Sequence, residues 1–217
     1  AGLAKPPDVH VIPDPSPNAF ATGRDPEHAA VAVTTGLLEK LNRDELQGVM
    51  AHEMSHVRNY DIRFAMLVGV LVGSVAMVCD IALRSLRFGR RGRTGGDDAR
   101  GQAVLVIIAL AVAILAPITA GAIQMAISRQ REYLADASAA ELTRHPAALA
   151  SALQKIASDD AVLARPTGAT SALFIIHPKP RLRRGEAHRL FSTHPPLEER
   201  IARLDAMAFR ARDAATS

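Results

Sequence analysis

Two long apolar runs dominate the pattern of hydrophobic and polar positions along the chain. Phe64–Leu83 is apolar except for Ser74 and Asp80, and Ala103–Ile127 carries no charge, with Pro117 and Gly121 marking a kink. At 1.5 Å per residue the first run spans roughly 30 Å, the thickness of a bilayer core. Uncharged stretches of this length exceed the usual buried helix of a soluble protein, so the pattern predicts two membrane segments. Between them Arg84–Gly101 reads as a Gly/Arg loop with a turn at Gly95-Gly96. Upstream the period shortens. Asp8–Ile12, Asn18–Gly23 and Ala29–Thr35 read as three short strands separated by Pro13-Asp14-Pro15-Ser16-Pro17 and by a turn at Gly23–Pro26, and tight connections predict a small antiparallel sheet. A short helix over Leu37–Leu41 follows.

Asn42-Arg43-Asp44-Glu45 is the signature of a helix start, an N-cap residue with an acid three positions later. Beyond the second apolar run the chain is expected to stay helical through Leu142 and to form an Ala-rich amphipathic helix over Pro146–Ser158. Residues 159–190 show no regular period, with a loop at Arg165–Gly168, an apolar patch at Ala172–Ile176 and a basic segment at His177–His188. Ser192-Thr193-His194-Pro195-Pro196 opens the last helix, expected to run from Leu197 to about Arg212, and no internal repeat is present.

Composition narrows the reading. A net charge of +4 and a pI near 9.7 would suit a nucleic-acid binder, and the arginines of Arg84–Arg100 would be its contact surface. Those arginines flank apolar runs and have a single aromatic residue, Phe88, among them, which fits membrane segments better and leaves nucleic acid an unexpected partner. The lone cysteine, Cys79, excludes an internal disulfide and sits in an apolar segment as a small apolar residue. No charged and then apolar leader opens the chain, so no signal peptide is expected, and the sequence is compatible with an internal piece of a longer protein.

The chemistry concentrates in His52-Glu53-Met54-Ser55-His56. Residues four apart share a helix face, so both imidazoles point the same way at the spacing at which they can bind one zinc ion. Glu53 then lies beside the metal without ligating it, placed to take a proton from a zinc-bound water. The surrounding Leu46, Val49, Met50, Met54 and Val57 imply a buried helix, and buried histidines need partners. A catalytic site of this type takes a carboxylate as third ligand. Glu132 is the candidate, because an antiparallel hairpin of the two apolar segments would return it to the level of the histidines. Asp136, one turn on, could orient a ligand imidazole through its second nitrogen. Taken alone, the plainer reading of both acids is helix-surface charge paired with Arg129 or Arg131. The other histidines, His10, His28, His145, His177 and His188, share no ligand spacing with this core.

Three stretches in the same order, H-E-M-S-H, R-E-Y-L-A-D and S-T-H-P-P-L-E-E-R, resemble the HtpX family of membrane zinc metalloproteases, whose relatives trim prenylated proteins or act in mitochondrial quality control. Asn18-Ala19-Phe20-Ala21-Thr22-Gly23 resembles the family's strand ahead of the active helix, and the likeness extends from about Val9 to Leu204. It implies a fold of class α+β, mainly α: one integral-membrane zincin-type metalloprotease domain over residues 1–217, with a small antiparallel sheet and a two-helix membrane hairpin. It implies one zinc ion per chain held by His52, His56 and Glu132, with Glu53 as general base. His194 would stabilise the oxyanion, and Arg200 would hold that segment or the substrate. Asn18, Ala19, Phe20 and Ala21 would offer an edge strand to an extended peptide.

Misfolded or damaged membrane proteins are the implied substrates, a lipid bilayer the implied partner, and the cell's inner membrane the implied location. The family's further pair of membrane helices ahead of the sheet is missing from this sequence. Six arginines in Arg84–Arg100 against Arg58, Arg63, Arg129 and Arg131 at the other end would put the loop in the cytoplasm. The resemblance implies a cytoplasmic-face active site, which is the expectation adopted. A catalytically silent metal-binding scaffold is the rival reading, and the intact Glu53 argues against it. The residues name neither the natural substrate nor the oligomeric state, and they do not prove zinc over another divalent metal.

Overall fold

A computed structural model describes residues 2–89, 99–158 and 195–216. In chain order the elements are β1 (Asp8–Ile12), β2 (Ala19–Gly23), a single 3-10 turn (Pro26–His28), β3 (Ala29–Thr34), α1 (Thr35–Lys40), α2 (Arg43–Arg58), α3 (Asp61–Gly89), α4 (Ala99–Thr143), α5 (Pro146–Ala157) and α6 (Leu197–Thr216). The chain divides into two compact units, one of Ala1–Phe64 with Ser128–Ser217 and one of Ala65–Ile127.

The first unit holds the sheet, whose strand order is β1-β3-β2. β3 is buried along almost its whole length, as a nearly all-apolar central strand must be. β2 pairs with it antiparallel, Ala21 opposite Val31, but β1 pairs parallel, Val9 opposite Val31, so the sheet is mixed rather than antiparallel throughout. The cause lies in the proline-rich link. β1 and β2 are consecutive but not neighbours: residues 13–18 step over the end of β3, a displacement of roughly 10 Å across two strand spacings. The link is fastened there by Gly36 N–H and Thr35 Oγ1, which both donate to the Asp14 carbonyl at 2.9 and 3.0 Å. Gly36 is required at this crossing, since a Cβ would stand 1.9 Å from the Pro15 carbonyl oxygen.

α2 begins as its sequence signature requires. Asn42 Oδ1 accepts from Glu45 N–H and the Glu45 carboxylate accepts from Asn42 N–H, both at 2.9 Å. The same Glu45 reaches α5, accepting from Ser151 Oγ at 2.6 Å and Lys155 Nζ at 2.8 Å. Burial disfavours its charge, but these partners outweigh that and hold its pKa below the ordinary carboxylate value. Leu37, Val49, Leu149, Leu153, Ile156 and Leu204 form the centre of the core, joining α1, α2, α5 and α6. α2 also packs on β2, which sets the histidine-bearing helix against the sheet. The helix does not continue into the first apolar run. It stops at Arg58, and Tyr60 turns the chain at φ 57° before α3 starts.

In the second unit, α3 and α4 are each long and apolar enough to cross a membrane. Many of their large apolar side chains, among them Leu67, Val70, Ile107 and Leu115, are more than half exposed, which argues against buried core helices. α4 stays helical through Pro117 and on through Thr143. The expected loop Arg84–Gly101 is shortened, because α3 runs to Gly89 and α4 starts at Ala99; residues 90–98 lie outside the described ones. So do the loop, apolar patch and basic segment expected within 159–190, and Ser192–His194.

Candidate metal centre

Two helices and a helix end converge on one point in the first unit. His52 and His56 come from α2, Glu132 and Asp136 from the part of α4 beyond its apolar run, and Arg200 from α6. His52, Glu53, Glu132, Asp136 and Arg200 are 2, 5, 8, 3 and 2% exposed, so the two acids of α4 are not surface charges. The surface pairing anticipated for a lone segment gives way to burial against Arg200. Its Nε and Nη2 grip the Asp136 carboxylate at 2.8 and 2.7 Å, and its Nη1 lies 3.4 Å from Glu132 Oε2.

The imidazoles are held from behind. His52 Nδ1 lies 3.0 Å from Asp136 Oδ1, and His56 Nδ1 lies 2.5 Å from Asp61 Oδ2. With both Nδ1 atoms turned to carboxylates, the proton of each neutral ring belongs there, and the lone pair is left on Nε2. The two Nε2 atoms face each other at 3.1 Å, with Glu132 Oε2 3.8 Å from one and Oε1 3.7 Å from the other. Two lone pairs and a carboxylate aimed at one small volume repel unless a cation lies between them. His52, His56 and Glu132 are the three residues that could hold a metal ion together among the described residues, and their donor set suits zinc. Charge agrees: Glu53, Glu132, Asp136 and Asp61 against Arg200 and Arg131 leave a formal excess of two negative charges for a divalent ion to neutralise.

Glu53 points to the sheet side. Its Oε2 accepts from the Ala21 backbone N–H at 2.9 Å, and burial raises its pKa above the ordinary carboxylate value despite the two nearby imidazoles. Asp136 goes the other way. Burial alone would raise its pKa, but the hydrogen bonds from Arg200 and His52 hold it down at about 2. Those interactions in turn keep the buried Arg200 charged, raising its pKa against its own desolvation.

β2 is the outer strand on this side of the sheet. Asn18 and Thr34 pair through the Thr34 N–H to Asn18 C=O bond at 2.9 Å. Alternation along the ladder then turns the backbone groups of Ala19, Ala21 and Gly23 away from β3. Asn18 and Ala19 are buried, while Phe20 and Ala21 are half-buried. A cleft lined by Thr22, Gly23, Arg24, His56, Tyr60 and Arg63 continues from this edge past the second histidine.

His194 lies outside the described residues. His10, His28 and His145 are not in the metal cluster, and His28 instead pairs with Asp25 at 2.7 Å. Asp61 and Arg131 were missed as part of the site. The only signal was an aspartate five residues after the second histidine, a spacing that brings two side chains together only if the helix breaks between them.

The model of peptidase family M48 matches residues 1–208. The chain is 52% identical over 201 residues to a "Protease HtpX homolog" of Tropheryma whipplei (strain Twist), covering 93% of this chain and 66% of that protein. It is 48% identical over 204 residues to a protein of the same description from Dictyoglomus turgidum, covering 94% of this chain and 64% of that one. The chain thus spans just under two thirds of the length of these relatives. Among solved structures, the crystal structure of S. mikatae Ste24p superposes with a TM-score of 0.56 at 22% identity, over 94% of this chain and 47% of that one, a likeness of fold.

Proposed function

Because the chain belongs to peptidase family M48 and turns two imidazole lone pairs and a carboxylate onto one point, we propose that it is the catalytic part of a zinc-dependent membrane endopeptidase. The observation that carries the reading is the pair of Nε2 atoms at 3.1 Å flanked by Glu132, with a buried, unliganding Glu53 beside them. Zinc bound there would lower the pKa of a coordinated water to about 7 and polarise a peptide carbonyl. Glu53, its pKa raised by burial, takes the proton from the attacking water and passes it to the leaving amine. Ala21 N–H fixes the Glu53 carboxylate for this transfer. Asn18, Ala19, Phe20 and Ala21 bind the substrate as an added strand: the outward backbone groups of Ala19 and Gly23 and the Ala21 carbonyl pair with an extended peptide, while the Ala21 N–H stays with Glu53. Arg200 acts through Asp136 and Glu132, setting the orientation of His52 and of the third ligand. His194 supplies the oxyanion donor.

Backbone recognition favours unfolded chains over any one sequence, and misfolded or damaged membrane proteins are the substrate class proposed. The exposed apolar faces of α3 and α4 support a bilayer as its surroundings. A catalytic unit facing the cytoplasm is the orientation proposed, on the family resemblance alone, and cysteine labelling in sealed vesicles tests it. The test of the whole reading is cleavage of an unfolded protein by detergent-purified chain, stripped of metal and then given zinc. Wild type recovers activity, whereas Glu53→Gln binds zinc but cleaves about 10²–10⁴-fold more slowly. Undiminished cleavage by Glu53→Gln would sink the mechanism.

A further inference from the structure

Asp61 has no part in the hydrolysis as described, yet its surroundings are specific. One oxygen lies 2.5 Å from His56 Nδ1, and the other pairs with Arg131 Nη2. That same Nη2 donates to the Asn59 carbonyl at 2.8 Å, and the guanidinium lies over the Phe64 ring, 4.4 Å from its centroid. On an unbroken helix a residue five positions on would sit about 140° around the axis from His56 and could not reach its ring. The turn at Asn59-Tyr60 makes the contact. Tyr60 takes the left-handed φ of 57°, a conformation unfavourable for a non-glycine residue, and the chain folds back so that Asp61 meets the imidazole.

We propose that Asp61, held by Arg131, is the positioning residue of the second metal-binding imidazole. It keeps the proton of His56 on Nδ1 and so aims Nε2 at the metal. The arrangement repeats the Asp136–Arg200 pair behind His52: each ligand imidazole has its own carboxylate, and each carboxylate its own arginine. The two differ in access to water. The side chains of His52, Asp136 and Arg200 are 3, 4 and 2% exposed, those of His56, Asp61 and Arg131 17, 10 and 23%. His56 is therefore the more water-accessible of the two ligand imidazoles, and Asp61 holds it in place.

Asp61 also stands in the first turn of α3, where a carboxylate stabilises a helix whatever lies beside it. The test separates the two roles. Zinc affinity is measured on the full chain in detergent by competition with a chromophoric chelator, alongside thermal melting of the metal-free protein. Asp61→Ala weakens zinc binding about 10–100-fold. Asp61→Asn, which keeps an acceptor but loses the charge, falls between it and wild type in zinc affinity, and the metal-free melting reads its helix contribution separately. The asparagine variant also decides the matter if the alanine variant does not fold. Arg131→Ala weakens zinc less and adds little in the double variant, because both act through one contact. Zinc affinity within twofold of wild type for both Asp61 variants, or additive effects of Asp61 and Arg131, would overturn the proposal. It rests on the metalloprotease reading and fails separately from it: a wild type that binds no zinc removes both, whereas zinc-dependent cleavage unaffected at Asp61 removes this one alone.

Discussion

At the scale of single residues, the proposed separation of ligation from proton transfer rests on where each carboxylate points. Glu132 shares the small volume of the two Nε2 atoms, whereas Glu53 is turned to the Ala21 amide. Removing Glu132 should therefore cost what removing Glu53 does not. Glu132→Ala is expected to weaken zinc by more than the roughly 10–100-fold typical of an outer partner and to lose cleavage with it, measured by the same chelator competition and cleavage assays. The histidine pair and Glu53 were legible in the sequence because helix periodicity alone puts residues four apart on one face. Glu132 needed either the family resemblance or the fold, since the two histidines it faces are more than seventy residues away. Asp61 was hidden because its role depends on one backbone angle at Tyr60, which no local pattern announces.

At the scale of elements, α2 must hold its register for the site to exist, and Glu45 is where its capping and its packing on α5 meet. Glu45→Ala should lower stability by about 1–2 kcal/mol through the lost cap and the lost buried hydrogen bonds, read as a fall in the thermal midpoint of the metal-free protein. Because the folded pKa of Glu45 is depressed, its contribution is present above the ordinary carboxylate value near 4.5 and is lost as pH falls through the lower folded value. The gap between wild type and Glu45→Ala should accordingly narrow in that acid window and not above it. The capping box could be read in advance, being a rule about four consecutive residues. The parallel pairing of β1 could not. Turn chemistry reports where the chain reverses, but not whether another strand is inserted between the two arms.

At the scale of the whole molecule, α3 and α4 leave apolar side chains exposed along both helices, a surface that water does not tolerate at this extent. Membranes containing the chain should retain it through alkaline carbonate extraction. The double substitution Val70→Lys and Leu115→Lys, at about 2.5–3.5 kcal/mol per lysine near a helix centre, should shift it to the supernatant. Recovery of the unsubstituted chain in the supernatant would contradict bilayer insertion.

By itself the sequence determined what repeats within a few residues: the histidine spacing, the helix cap, the three short strands and the two apolar runs. Each follows from backbone periods or from uninterrupted hydrophobicity, and each is fixed before any distant contact forms. Only the tertiary structure decided which distant groups meet. It set Asp136 and Arg200 behind His52, Asp61 and Arg131 behind His56, and the Ala21 amide against Glu53. Those meetings depend on how α2, the start of α3, α4, α6 and β2 pack, so they appear only once all five elements are in place.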